Sequence, residues 1–269
     1  MTYSILARDP QTGHMGAAIQ SHWFGVGRET LWSAGAAQGF VVCQAFVEPA
    51  YGPGGLQALQ AKGLTPPAAL AALRADDPGQ AARQVAVMNQ HGELACYTGA
   101  ECLAHAEHVT DHEGQVSCQA NLMLSEGVPQ AMLKAYRANL DKPLERRLLA
   151  ALYAAQALGG DLRGQQSAAM LISAPEDPPG SHWVDLRVDD STSALAELKR
   201  LLDKWGAYQT LQKLQACHQE SERQALHARL SAQTSNPEIL FWADVALHSH
   251  PRSPIAYPAP FDELARRLG

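Results

Sequence analysis

Short hydrophobic runs separated by turn residues dominate the first part of the chain, and a four-residue rhythm follows. Tyr3 to Arg8 is β-prone, Asp9-Pro10-Gln11-Thr12-Gly13 supplies turn chemistry, and Met15 to Ser21 resumes as a strand, so the chain opens on a predicted hairpin. Gly39 to Phe46 is a compact apolar run suited to a strand buried on both faces. Pro49-Ala50-Tyr51-Gly52-Pro53-Gly54-Gly55 reads as a loop, since Gly and Pro crowd it. Leu56 to Ala61 and Pro66 to Arg74 have the composition of short helices, the second with Thr65 as N-cap and Pro66 at its first position.

Gln84 to Asn89 and Leu94 to Thr98 flank Gln90-His91-Gly92-Glu93 as a further hairpin, and Val116 to Asn121 is another strand. Val128, Met132, Tyr136 and Leu140 recur every fourth residue, as do Leu144, Leu148 and Leu152, which predicts two successive amphipathic helices. Pro143 starts the second and Gly159-Gly160 ends it. Ser167 to Ala174 and Trp183 to Val188 return to strand character before a helix carrying Leu195, Leu198, Leu201 and Leu202. Strands and helices are segregated, so the pattern predicts packed antiparallel sheets with helices outside them, an α+β protein, and not a parallel sheet of βαβ units.

From Trp205 onward the chain is rich in Gln and Glu, helical in character, then punctuated by Pro251, Pro254, Pro258 and Pro260. The expected organisation is a main domain over 1–204 and an appendage over 205–269. With 21 Lys and Arg against 27 Asp and Glu, the formal charge is −6, and no basic cluster offers a face to nucleic acid. Every apolar run is interrupted before the roughly 20 residues that a membrane span needs. No secretory leader is read at the start, and five cysteines, an odd number, are read as reduced thiols, so the expected location is the cytoplasm.

Phosphate-binding loops, dinucleotide fingerprints, zinc-protease helices and nucleophile elbows are not found. What remains is Thr2, a hydroxyl residue leading directly into the first strand after a methionine of the kind aminopeptidases remove. A free α-amine titrates near 7.7–8.0, so it can take the proton of its own hydroxyl and create a nucleophile. Thr at this position is also common in proteins with no such chemistry.

Several longer stretches carry a resemblance. They are Met1-Thr2-Tyr3-Ser4-Ile5-Leu6-Ala7-Arg8-Asp9, Gln20-Ser21-His22-Trp23-Phe24-Gly25-Val26-Gly27, Gln44-Ala45-Phe46 with Pro49-Ala50-Tyr51-Gly52-Pro53, Gly159 through Ala169, and Asp185-Leu186-Arg187-Val188-Asp189-Asp190. Together they resemble the domain-of-unknown-function family 1028, which is placed among the N-terminal-nucleophile (Ntn) hydrolases. The resemblance implies a four-layer αββα sandwich of two packed antiparallel sheets. It makes Thr2 the nucleophile and its amine the base; from the absent motifs, neither cofactor nor metal is expected.

The resemblance sets further expectations. Ser21 and His22 follow the second strand, where a hydroxyl or imidazole can reach Thr2, although His22 can equally be a hydrogen-bonded structural residue. Asn121 and Gln119 are candidate amide donors to an oxyanion, in a stretch with Ala120 where the family has Gly. Gln44 and Ser167 are candidate substrate contacts. Asp161 and Arg163 either orient a substrate carboxylate or pair with each other. Proteasome-type relatives use a lysine near the nucleophile, and the first lysine here is Lys62, so Arg8 or Arg28 is expected to supply the charge.

Other constellations are weaker. His105, His108 and His112, with Asp111 or Cys102, lack the spacing of a helical metal pair. Cys96 and Cys102 fit no redox or zinc motif, and His248 and His250 fall in the tail. The expected function is a threonine amidohydrolase cleaving a small amide, ureide or short peptide-like molecule. The alternative is a catalytically silent sandwich that binds a small ligand or a protein. The expected partners are a small-molecule substrate and a second copy, as a homodimer through the outer helices, with neither nucleic acid nor membrane.

Overall fold

Ten strands form two antiparallel sheets in the computed structural model, which describes residues 2–268 except 36, 179 and 249–257. Pro251, Pro254 and His250 lie outside the described residues. Two compact units divide the chain, Met1–Lys199 and Arg200–Gly269.

In the first unit the strands are β1 (Thr2–Arg8), β2 (Met15–Ser21), β3 (Leu31–Ser33), β4 (Gly39–Ala45), β5 (Arg83–Asn89), β6 (Leu94–Thr98), β7 (Glu107–Asp111), β8 (Val116–Asn121), β9 (Ser167–Ser173) and β10 (Val184–Val188). One sheet has six strands in the order β10-β9-β2-β1-β8-β7, and the other has four in the order β3-β4-β5-β6. The helices are α1 (Val26–Thr30), α2 (Tyr51–Gln60), α3 (Pro66–Ala75), α4 (Val128–Arg137) and α5 (Leu144–Ala157), and α6 begins at Ala194. This is a mixed α+β architecture.

The apolar run of β4 is buried on both faces because its alternate residues enter different cores. Phe40 and Val42 join Leu6, Ile19, Ala86 and Met88, residues of both sheets. Val41 and Cys43 turn the other way, onto Tyr51, Ala58 and Leu59 of α2 and Ala69 and Leu70 of α3. Burying each such side chain contributes roughly 1.5–3 kcal/mol. Helices α4 and α5 pack on β1, β2, β7 and β8 of the larger sheet.

Two expectations need correction. The segment Pro49–Gly55 is not all loop, because α2 already starts at Tyr51. Pro53 falls in the first turn, where a backbone N–H has no intrahelical partner to lose. Gly52 and Gly55 are there for close packing: a Cβ on Gly52 would lie 2.2 Å from the Trp32 ring and one on Gly55 2.8 Å from Val41 Cγ2. The rhythm through Leu140 also overruns, since α4 ends at Arg137 and Leu140 is 57% exposed. Asn139 Nδ2 donates to the Ala135 carbonyl at 2.8 Å and answers one of the open groups at that helix end. Thr65 flanks α3 as expected, but its side chain makes no capping bond.

The second unit holds the rest of α6 (Ala194–Ala216), with α7 (Glu220–Gln233), α8 (Pro237–His248) and α9 (Phe261–Leu268). Leu211, Leu214, Leu230, Ile239 and Ala243 form its core. His227 Nε2 and Asp244 Oδ1 lie 2.6 Å apart beside that core. Among the described residues, no helix is long and apolar enough to cross a membrane, and no group of three or more His, Cys, Asp or Glu side chains is arranged to hold a metal ion.

Candidate functional site

Four small polar side chains share one register position across four neighbouring strands. Ser167 of β9 stands opposite Ser21 of β2, Ser21 opposite Thr2 of β1, and Thr2 opposite Asn121 of β8. Directly opposed residues project from the same face of a sheet, so the row presents its side chains together. Thr2 Oγ1 donates to Ser21 Oγ at 3.0 Å.

Thr2 and Ser21 lie at a cavity of about 300 Å³, walled by Trp23, Val26, Phe46 and Val47 and joined by the charged Glu29 and Arg163. Its walls are mainly apolar, which suits a compact uncharged group with a polar end at Thr2. Trp23 and Phe46 are 56% and 52% exposed, so part of each ring stands at the surface. Ala45, on the wall, has φ 70°, and Leu122, just after Asn121, has φ 54°. Non-glycine residues held there cost of order 1–3 kcal/mol each, and such strain concentrates at functional sites.

Behind Thr2 the two sheets are joined by neutral amides. Gln44 Nε2 donates to the Thr2 carbonyl at 3.3 Å and to Gln84 Oε1 at 2.6 Å, while Ser4 Oγ donates to Gln44 Oε1 at 2.7 Å. Gln119 Nε2 donates to Ser4 Oγ at 2.7 Å, and Gln119 Oε1 accepts from Ser117 Oγ at 2.8 Å. Tyr3 points to the opposite face and donates to Gln156 Oε1 at 3.0 Å. Burial, reinforced by the negative charge of Asp161, pushes the Tyr3 hydroxyl far above its ordinary value, so it stays neutral.

The sequence matches the family of unknown function DUF1028 over residues 2–198. The chain belongs to this family. It is also similar to the crystal structure of protein SPO2555 from Silicibacter pomeroyi, described as DUF1028, with 35% identity and a TM-score of 0.67 over 76% of this chain and 88% of that one. None of the curated proteins compared with it matches.

All the site residues expected from sequence fall inside the DUF1028 match, but the fold uses them differently. Thr2, Ser21 and Arg163 meet at the cavity. Ser167 stands next to Ser21 in the row, where its Oγ donates to the Trp23 carbonyl and accepts from Val26 N–H at 3.1 Å, fastening the cavity wall. Asp161 and Arg163 pair with each other: Asp161, 2% exposed, accepts from Arg163 Nε at 3.0 Å and Arg163 Nη2 at 2.8 Å. Asp161 also accepts from the backbone N–H of His22 at 3.1 Å, pinning the residue after Ser21. His22 is therefore held through its backbone, and its ring is not among the cavity walls.

The amide side chains of Gln44 and Gln119 are committed between the sheets, and Asn121 turns its amide N–H to Gln84 Oε1 at 2.9 Å. Gln119 and Asn121, the amide donors expected at an oxyanion, each give one N–H, to Ser4 Oγ and Gln84 Oε1 respectively, and neither residue is among the cavity walls. Arg8 sits at the other end of β1, bonded to Gln115 Oε1 at 3.0 Å. Six residues of extended chain, roughly 20 Å, separate it from Thr2. Arg28 lines a different cavity, with Trp32 and His182, so the positive charge near Thr2 comes from Arg163. Glu29, Val47 and Gln84 belong to the site or its support without having been singled out from sequence. For Trp23 and Phe46 the signal was present, as solvent-facing aromatics inside the motif stretches.

Proposed function

We propose that this DUF1028 chain is an N-terminal-threonine amidohydrolase, with its two sheets and flanking helices forming a four-layer αββα sandwich of the Ntn-hydrolase type. The observation that carries the reading is the Thr2 hydroxyl, heading a core strand, bonded to Ser21 Oγ at 3.0 Å and reaching a cavity of about 300 Å³. Removal of Met1 leaves Thr2 with a free amine beside its own hydroxyl. Thr2 Oγ1 then attacks the amide carbonyl carbon while its proton passes to the amine. The tetrahedral intermediate collapses, the C–N bond breaks, and the leaving nitrogen takes that proton. Water, giving its proton to the amine, next attacks the Thr2 ester and releases the acid, restoring the hydroxyl.

The apolar walls support a small amide or ureide with a compact acyl portion. Because Arg163 is already bonded to Asp161, a substrate carboxylate is a weaker fit. Intact mass and a panel of small amides and ureides test the proposal, comparing the wild type with Thr2→Ala. A chain lighter by one methionine, with turnover that Thr2→Ala reduces by about a thousandfold or more, is expected. A folded Thr2→Ala chain that turns over the same amides as fast as the wild type sinks the proposal, and ligand binding without turnover in either chain favours a silent binding module.

A further inference from the structure

Two backbone carbonyls decide which way Asn121 points. The oxygens of Glu107 and Ala120 can only accept, and both take hydrogen bonds from Gln84 Nε2, at 3.0 and 2.9 Å. Gln84 Oε1 is thereby turned toward Gln44 Nε2 at 2.6 Å and Asn121 Nδ2 at 2.9 Å. With its nitrogen facing Gln84, Asn121 directs its oxygen the other way. Asn121 Oδ1 is buried with no hydrogen-bond partner among the described residues. Native structures rarely leave a buried acceptor so, and a functional donor is one of the standard explanations.

Two neighbouring side-chain donors are already spent. Thr2 Oγ1 gives its proton to Ser21 Oγ. Gln44 Nε2 serves the Thr2 carbonyl and Gln84. Asn121 is the β8 partner of Thr2, and opposed residues of a strand pair have Cβ atoms about 4.5–5.5 Å apart on one face. We infer that Asn121 Oδ1 receives the α-amino group of processed Thr2 and so acts as the positioning residue for the proposed catalytic base.

The inference rests on the hydrolase reading, because it requires a free amine. A neutral amine that donates one N–H to Asn121 is fixed in rotation, and its lone pair is left to take the proton of its own hydroxyl. In the protonated state the same bond stabilises the ammonium, so losing it lowers the pH at which the amine titrates. Arg163 and Glu29 share the cavity with Thr2, and Asp161 lies behind Arg163. His22 follows Ser21 on β2, and Glu107 and His108 lie on β7 beyond β8. These groups are common to every variant compared.

The test is a pH titration of the Thr2 α-amine, followed by NMR on threonine-labelled full-length protein whose loss of Met1 is confirmed by mass. Asn121→Leu is expected to lower the midpoint by about one unit or more, and the isosteric Asn121→Asp to raise it. Should Asn121→Leu fail to fold, Asn121→Asp decides alone. Equal midpoints in chains that have lost Met1 overturn the role of Asn121 and leave the hydrolase reading standing. A chain that keeps Met1 overturns both.

Discussion

Thr2 donates to Ser21 across 3.0 Å, and both belong to the polar row that ends the larger sheet. A hydroxyl that accepts from the nucleophile's hydroxyl fixes its rotamer. Ser21→Ala is expected to cost only about 1 kcal/mol in stability, the usual net worth of one hydrogen bond. In the proposed reaction it should lower turnover by roughly 10- to 100-fold with Met1 still removed. Activity on the responsive amide, set beside thermal unfolding, separates the two. An equal loss in Ser21→Ala and Thr2→Ala would mean that the hydroxyls act as one unit.

The cavity wall is tied to a charge outside it. Arg83 donates from Nη1 to the Phe46 carbonyl at 2.9 Å and from Nε to Asp77 Oδ2 at 2.9 Å. The Arg83 guanidinium, helped by Gly79 N–H and the Tyr51 hydroxyl, holds the Asp77 carboxyl at about 2, against an ordinary 3.8. A carboxyl depressed on folding contributes stability that is fully present above the unfolded value and is lost as the pH falls through the folded one. Acid unfolding should therefore include a step between about pH 4 and 2, worth about 1 kcal/mol after solvent screening. Asp77→Asn should remove that step while lowering stability at neutral pH, as followed by thermal midpoints across the range.

The entry to α2 makes a steric prediction. Gly52 packs its backbone so closely on Trp32 that an added methyl would sit 2.2 Å from the ring. Gly52→Ala, a change that favours helices in the open, should here destabilise by about 1–3 kcal/mol. Chemical denaturation checks it, and a double change with Trp32→Leu should recover most of the loss.

That glycine also marks where sequence reading stops. Strands β1, β2, β5, β6 and β8 were legible because alternation and turn residues are local signals. The start of α2 was not, because what lets Gly52 and Gly55 lie in a helix is the bulk of Trp32 and Val41, residues far away in the chain. Within the site, Thr2 was legible from its position and Ser21 from its motif. The direction of the Asn121 amide depends on carbonyls of β7 and β8 acting through Gln84, which no spacing encodes. Arg8 carries the expected charge but stands at the opposite end of β1 from Thr2, where it bonds Gln115.

The thiols give a labelling prediction. Burial pushes Cys43 up to about 11 and Cys96 up to about 12, and raises Cys118 further still. A thiol must ionise to react, so these three should resist alkylation at pH 8 in the folded protein. Cys217, whose thiol makes only an exposed contact with the Gln219 carbonyl, should label first. Peptide mass mapping before and after denaturant reads the order. Rapid native labelling of Cys118 would mean that the larger sheet opens far more readily than its burial allows.

Gln20 offers a stabilising change. It is fully buried on the face of β2 shared with Tyr3, and neither atom of its amide has a hydrogen-bond partner among the described residues. An unanswered buried amide costs roughly 1–3 kcal/mol, whereas methionine fills nearly the same shape with nothing to satisfy. Gln20→Met should therefore raise stability by about 1 kcal/mol, a few degrees in the unfolding midpoint for a chain of this size. Gln20→Glu should do the reverse, because it places a charge where even a neutral amide goes unanswered. If Gln20→Met instead lowers the midpoint, the amide is bonded in solution, and the polarity of this position belongs to function and not to unrelieved cost.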